Sequence, residues 1–260
     1  MRKYKNIKQD RIGKKYITNE GYEIEIIEYF GANNISVKLK NGVVVCNLSF
    51  ANIEKGCVRN PYHPSVCDKG FIGEGNYKAY RNKVKSSEYK MWTSMLKRCY
   101  SNRYKSYKNV TVCEEWHNFQ NFAQWYNDNY NPETMQGWQL DKDILSKKCR
   151  IYSPETCCFV PREINVLFFS SNKTNNLPMG VHKDKKAYVA KCWILGKYTN
   201  LGNYDTIEKA FSIYKLNKLK EIKRVADKWK DKIEPHVYQA MYNYKIETTT
   251  ELNRISQYEI

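Results

Sequence analysis

Hydrophobic and polar residues alternate along the first quarter of the chain in the manner of β-strands. The alternation is clearest at 22–26 and 35–39, and turn-forming residues separate the apolar runs. Asn41-Gly42 is a strong hairpin signal, because both residue types accept the backbone angles of a tight turn. We therefore predict an antiparallel β module over residues 1–68, built as a small barrel or a curled sheet.

The pattern changes to helical spacing after a Gly-rich stretch at 70–75, which we interpret as a linker. Ser86-Ser87-Glu88 offers an N-terminal cap, and apolar residues then recur every three or four positions from Trp92 to Cys99. A second apolar stripe predicts a helix at about 117–128. These two helices open a predicted central domain over residues 80–171.

The rest of this central domain has the pattern strand, loop, strand, helix. We predict the first strand at 140–145, the second within 151–160, and a short helix at 162–169. The Ser- and Asn-rich stretch 170–177 is interpreted as another linker.

The last segment, 178–260, is predicted to hold three short strands and a long amphipathic helix with a helical tail. The strands are expected at 180–183, 187–194 and about 197–201, and Asp205-x-x-Glu208 is interpreted as the capping box of the helix. The fold class is therefore α+β, with a small barrel-like sheet first and a three-stranded sheet packed on one helix last.

Composition favours folded domains and an acidic partner. The 260 residues are 42% hydrophobic and 14% aromatic, and 44 Lys or Arg against 27 Asp or Glu give a net charge of +17. Such a charge favours nucleic acid or an anionic surface, and neither a lipidation motif nor an apolar run of about 20 residues supports a membrane. Nine cysteines include no Cys-x-x-Cys pair, so we expect reduced thiols in a cytosolic protein.

The positive charge is concentrated near the C-terminus. Residues 178–232 hold fourteen Lys or Arg and six Asp or Glu, a net charge of +8. Lysines can neutralise phosphates, and aromatic rings can pack on sugars or bases, so the basic and aromatic residues of the predicted strands are candidate contacts to double-stranded DNA. These candidates are His182, Lys183, Lys185, Lys186, Tyr188, Lys191, Trp193, Lys197 and Tyr198.

An ordered run of short motifs in this segment resembles the Apetala2 and ethylene-response-factor type of DNA-binding domain. The motifs are Gly180-Val181-His182, Tyr188-Val189-Ala190, Leu201-Gly202-Asn203-Tyr204, and Thr206-Ile207-Glu208-Lys209-Ala210-Phe211 followed by Tyr214. The resemblance covers about 55 residues and implies a three-stranded sheet that binds duplex DNA. The family has Arg where this chain has His182.

A second resemblance, over about 85–170, is to phage HNH homing endonucleases with a ββα-metal core. It rests on Leu140-Asp141-Lys142-Asp143-Ile144, Tyr152-Ser153-Pro154-Glu155-Thr156-Cys157-Cys158-Phe159-Val160 and Ile164-Asn165, with a helical lead-in around Trp92 and Trp116. The two resemblances together imply a phage-type protein with a nuclease-like core and a separate DNA-binding module.

The second resemblance implies roles for five residues and a divalent cofactor, Mg²⁺ or a similar ion. Asp141 falls on the acidic metal ligand and Asn165 on the last ligand. Lys142 stands where the family has its general-base His, and Thr156 stands where a residue orients that His. Asp143 is an additional candidate ligand or base. A protonated lysine is a poor base, so the catalytic motif is altered at two central positions.

Three interpretations remain open. The first is a metal-dependent DNA endonuclease, in which His117 or Asp143 would replace the missing base. The second is a DNA-binding protein related to HNH homing endonucleases whose cleavage is weak or lost. The third is a phage effector that binds a host protein through the N-terminal module. A phage-encoded chain would act in the cytoplasm of a bacterial host.

Overall fold

The computed structural model describes residues 10–146, 149–168 and 177–246, and its architecture is α+β. The chain divides into two compact units, one formed by Met1–Ser101 with Glu114–Gln124 and one by Asn102–Cys113 with Trp125–Ile260. In the described ranges, no helix is long and apolar enough to cross a membrane. Residues 170–176 of the predicted second linker and 247–260 of the predicted tail lie outside the described residues.

The first unit begins with the predicted antiparallel sheet. Its four strands pair in the order β1-β2-β3-β4, so β1 and β4 are free edges and the described residues form an open sheet, not a closed barrel. The strands are β1 (Lys15–Ile17), β2 (Glu23–Gly31), β3 (Asn34–Leu39) and β4 (Val44–Leu48), followed by helix α1 (Phe50–Glu54).

Burial alternates in the first half of β2, before register shifts with β3 interrupt the pattern. Ile24 and Ile26 are buried while Glu23 and Glu25 are exposed, because successive side chains of a strand point to opposite faces. The predicted hairpin at Asn41-Gly42 is confirmed, since the Gly42 amide donates to the Leu39 carbonyl at 2.9 Å and Gly42 has a φ of +92°.

The helical part of the first unit starts as the sequence predicts. Ser86 is the N-cap of the second helix, and its hydroxyl accepts from the amide of Tyr89 at 3.2 Å. Two short strands precede this helix, and a 3₁₀ turn precedes the next one. The elements are β5 (Tyr80–Arg81), β6 (Val84–Lys85), α2 (Ser87–Tyr100), the 3₁₀ turn Glu114–His117 and α3 (Phe119–Asn129), of which the residues from Trp125 onward belong to the second unit.

The Gly-rich stretch 70–75 is part of the packed structure, so its interpretation as a linker is wrong. The Phe71 amide donates to the His117 carbonyl, and the Phe71 carbonyl accepts from the Phe119 amide, each at 2.9 Å. A Cβ atom on Gly70 would lie 2.4 Å from Leu96 Cδ1. Glycine is needed here because the backbone touches a buried helix.

The first part of the second unit contains short strands. Strand β8 pairs antiparallel with β10, and β7 pairs parallel with β9. The elements are the 3₁₀ turn Lys105–Tyr107, β7 (Thr111–Val112), β8 (Gln139–Asp141), β9 (Ile151–Tyr152), β10 (Cys158–Val160) and helix α4 (Arg162–Phe168). The predicted strand 140–145 therefore stops at Asp141, and the predicted strand within 151–160 is two strands.

The second unit ends with a three-stranded antiparallel sheet and a long helix on one of its faces. The strands pair in the order β11-β12-β13, and the helix packs Ala210, Phe211 and Tyr214 against them. The elements are β11 (Val181–Asp184), β12 (Ala187–Ile194), β13 (Lys197–Tyr204), α5 (Ile207–Trp229) and α6 (Pro235–Tyr242).

The start of α5 corrects the predicted capping box. The N-cap is Thr206, whose hydroxyl accepts from the Lys209 amide at 3.3 Å. The side chain of Asp205 instead pairs with the Lys209 ammonium at 3.2 Å. An adjacent Asp and Thr are both good caps, and the strand runs to Tyr204, which places Thr206 at the first helical turn.

Candidate nucleic-acid interface

Asp141, the predicted metal ligand, caps a turn at the end of β8. Its side chain is 6% exposed, and its Oδ1 accepts from the amides of Asp143 at 2.8 Å and Ile144 at 2.9 Å. Burial raises the pKa of this carboxyl to about 6, against the opposing effect of the two amides. The carboxylate therefore closes the turn that ends the strand.

Lys142 and Asp143 form an ion pair beside this turn. The Lys142 side chain is buried, and its ammonium contacts the half-exposed Asp143 carboxylate. The same ammonium lies 5.9 Å from the centre of the Tyr152 ring. Lys142 is thus held by its ion pair with Asp143 and is not placed as a free base.

Thr156 and Asn165 make hydrogen bonds that differ from the roles the HNH resemblance implies for them, which are to orient a base and to bind a metal. The Thr156 hydroxyl donates to the Ile151 carbonyl at 2.7 Å and accepts from the Ser153 amide at 3.0 Å, which closes the turn between β9 and β10. Asn165 Nδ2 donates to Oε1 of Gln139 at 2.7 Å. Within the described residues, neither side chain hydrogen-bonds to Asp141.

The residues around Asp141 do not fit a magnesium ion. Magnesium takes oxygen ligands in an octahedral arrangement, whereas Asp141 is paired across the ladder with Cys158 and lies near Cys157. Burial raises the pKa of both thiols, that of Cys157 to about 12. In the part of the chain that the structure describes, no group of three His, Cys, Asp or Glu side chains is arranged to hold a metal.

His117, the other candidate base, lies in the first unit. Its Nε2 is 3.1 Å from the hydroxyl oxygen of Tyr100, and the two rings are in edge contact. Burial, aided by the charge of Lys69, lowers the pKa of this imidazole. The contacts explain His117 as a packed residue of its own unit.

The three-stranded sheet of the second unit leaves one face uncovered by α5. Val181, Ala190 and Cys192 point to the helix, so their neighbours along each strand point away from it. We call this second side the outer face. Its residues are His182, Asp184, Ala187, Val189, Lys191, Trp193, Tyr198, Asn200 and Asn203.

Two exposed aromatic rings lie side by side on the outer face. Trp193 and Tyr198 are 58% and 49% exposed, and they are direct cross-strand neighbours with ring centroids 5.5 Å apart. The Tyr198 hydroxyl lies 2.8 Å from Nε2 of His182 on the far strand. Because both rings are held on paired strands, a partner that contacted them would order them at little further cost in conformational entropy.

The predicted contact residues divide into three groups. His182, Lys191, Trp193 and Tyr198 lie on the outer face, and Lys185 and Lys186 are exposed in the turn between β11 and β12. Lys183 and Lys197 are exposed on the two edge strands, but they pair with Tyr188 and Ile194 and therefore lie on the side of the sheet that faces α5. Tyr188 also lies on that side and packs against the cluster formed with α5.

The hairpin that carries the two rings is held to α5 by a buried acid. Glu221 is 6% exposed, and its Oε1 accepts from the amide of Leu195 at 3.0 Å. Arg224 donates twice to the same carboxylate, at 2.8 Å each, which lowers the pKa of Glu221. Leu195 has a φ of +51°, so the bond fixes a turn that a leucine does not favour alone.

A β-bulge lies in the middle of β13. Ala190 pairs with Gly202 while Lys191 pairs with Asn200, so Leu201 is an extra residue. Asn200 Oδ1 accepts from the Gly202 amide at 2.9 Å, and Gly202 has a φ of +122°. The bulge puts Asn200 and Asn203 on the same face. Neither was among the predicted contacts, although a glycine inside a strand signals a bulge.

Three comparisons with known proteins found no match. No family model matches the chain, and neither a curated protein nor a solved structure matches it.

Proposed function

We propose that the protein binds double-stranded DNA through the outer face of its C-terminal sheet. The observation that carries this proposal is the Trp193–Tyr198 pair, which is exposed on the face opposite α5. Large exposed aromatics on a rigid sheet are costly to leave in water and are typical of binding surfaces. Sheets of two or three strands fit the major groove of B-form DNA.

The charges around this face support a polyanionic partner. Lys191 lies on the face itself, exposed Lys185 and Lys186 lie in the adjoining turn, and exposed Lys183 and Lys197 lie on the edge strands. They belong to a segment with a net charge of +8. Phosphate contacts made by such lysines supply affinity and orientation without reading sequence. The proposal places this binding in the cytoplasm, of a bacterial host if the chain is phage-encoded.

The proposal includes weak or lost DNA cleavage. The support is that Asp141 caps a turn, Lys142 is paired with Asp143, and Asn165 is bonded to Gln139. General-base catalysis contributes about 10²–10⁴ in rate, so its loss reduces hydrolysis to a slow reaction. The test is cleavage of duplex DNA with Mg²⁺, Mn²⁺ or EDTA by the natural chain and by Lys142→His. Rapid Mg²⁺-dependent cutting by the natural chain would refute weak cleavage.

The binding test compares two matched double variants of the full chain in gel shifts. Lys191→Ala with Trp193→Ala removes one charge and one ring from the outer face. Lys105→Ala with Tyr104→Ala removes the same kinds of exposed group elsewhere in the second unit. We expect the first variant to weaken binding at least tenfold and the second to change it little. Equal effects of the two variants would remove the outer face from the proposal.

A further inference from the structure

The bulge in β13 changes which side chains face outward. In a regular strand, Asn200 and Asn203 are three residues apart and would point to opposite faces. Because Leu201 is inserted between the two registers, both amides lie on the outer face. Two hydrogen bonds fix the bulge. The Gly202 amide donates to Asn200 Oδ1, and the Tyr204 hydroxyl donates to the Leu201 carbonyl at 2.9 Å.

Asn203 is the amide that this arrangement leaves available. Its side chain is exposed, and it makes no hydrogen bond within the residues that the structure describes. Asn200, by contrast, uses its carbonyl oxygen to hold the bulge. Asn203 lies in one cross-strand row with Val189 and His182, beside the row that holds Lys191. It is therefore inside the surface proposed to contact DNA.

The chemistry of this amide differs from that of its neighbours. A lysine ammonium is a point charge suited to phosphate, and an aromatic ring packs on sugars or base edges without a hydrogen-bond pattern that reads the sequence. His182 already has a bond to Tyr198. A free carboxamide presents a donor and an acceptor side by side, which matches the N6 amino group and N7 of adenine in the major groove.

We infer that Asn203 reads an adenine, and that the bulge in β13 is what turns it toward the DNA. This inference rests on the proposed function and deepens it by naming a base-reading residue. The lysines and rings supply affinity, and Asn203 supplies discrimination at one base pair.

The first experiment selects bound duplexes from a randomised pool with the full-length chain and with Asn203→Ala. The natural chain should enrich sites with a fixed adenine, and the variant should lose the preference at that position alone. The Asn203 side chain makes no hydrogen bond to any described residue, so the variant should keep the thermal midpoint of the natural chain. Asn243→Ala, an exposed asparagine after α6, is the matched control and should keep the preference.

The second experiment replaces the selected adenine with 7-deazaadenine, which lacks the N7 acceptor. A bidentate contact discriminates by about 1–3 kcal/mol, or roughly 5- to 150-fold in affinity. The natural chain should lose part or all of this factor, and Asn203→Ala should lose none, because the contact is already absent.

The outcomes separate the inference from the proposed function. Duplex binding with no position that depends on Asn203 would overturn the inference and leave DNA binding intact. Equal sensitivity to 7-deazaadenine in both proteins would also overturn it. Failure of the natural chain to bind any duplex would overturn both.

Discussion

Replacing Asp141 with asparagine should remove a pH-dependent loss of stability. Burial raises the pKa of the Asp141 carboxyl from its ordinary value of 3.8 to about 6. One pKa unit corresponds to about 1.4 kcal/mol, so ionisation of this group costs the folded state about 3 kcal/mol. The unfolded chain loses the proton near pH 4, and the folded chain keeps it until near pH 6.

This difference in pKa makes the free energy of unfolding depend on pH. Between pH 4 and 6 the folded state binds more protons than the unfolded state, so the contribution of Asp141 to stability falls as the pH rises. Above pH 6 the full cost of about 3 kcal/mol is present. Asparagine has the shape of the protonated acid, and its oxygen can still accept from the amides of Asp143 and Ile144. The free energy of unfolding of Asp141→Asn should therefore exceed that of the natural chain by near zero at pH 4 and by about 3 kcal/mol at pH 7.

The assay is urea unfolding of the natural chain, Asp141→Asn and Asp141→Ala between pH 4 and 8. The free energy of unfolding of Asp141→Ala should follow the same pH trend relative to the natural chain, but at lower values than that of Asp141→Asn. Each buried amide left without an acceptor costs about 1–3 kcal/mol. A difference between Asp141→Asn and the natural chain that does not change with pH would refute the reasoning. Stabilisation of the natural chain by Mg²⁺ that Asp141→Asn abolishes would make Asp141 a metal ligand after all.

Three further predictions concern packing, the hairpin and the DNA contacts. Gly70→Ala should lower the free energy of unfolding by about 1–3 kcal/mol, because the new methyl group overlaps Leu96; a neutral effect in urea unfolding would contradict the close packing. Glu221→Ala should destabilise by about 1–3 kcal/mol through loss of the bond to the Leu195 amide, and Glu221→Gln, which keeps an acceptor, should lose less; equal losses would exclude that bond as the cause. Duplex affinity should fall about 10³-fold or more between 50 and 200 mM salt if six or more phosphates are contacted, and a flat response in gel shifts would exclude the lysines from binding.

The sequence predicted elements whose signals are local. Ser86 caps its helix and Gly42 closes its hairpin, because each needs only its immediate neighbours. Local signals fail where two neighbours offer the same chemistry, as Asp205 and Thr206 do at the start of α5. They also fail at Gly70, because a glycine in a linker and a glycine against a buried helix look the same until the helix is in place.

Some features of the candidate site were likewise predictable from the sequence, and others were not. The limits of β12, which carries Lys191 and Trp193, were predictable from alternation, and so was the exposure of Trp193 on a sheet backed by a helix. The end of the first central strand at Asp141 was not predictable. There the Asp141 carboxylate accepts hydrogen bonds from the amides two and three residues ahead, and the chain turns. A carboxylate that closes a turn and one that binds a metal have the same place in a motif.

The outer face shows why the sequence pattern of a strand does not by itself assign its side chains to a face. Alternation assigns faces only while the register holds, and one inserted residue at Leu201 reverses the assignment for everything after it. Without the bulge, Asn203 would point toward α5, where an unpaired amide would be costly to bury. With it, the same amide faces solvent on the side that also carries Trp193 and Tyr198. A glycine with a positive φ inside β13 is therefore the feature that places Asn203 on the outer face.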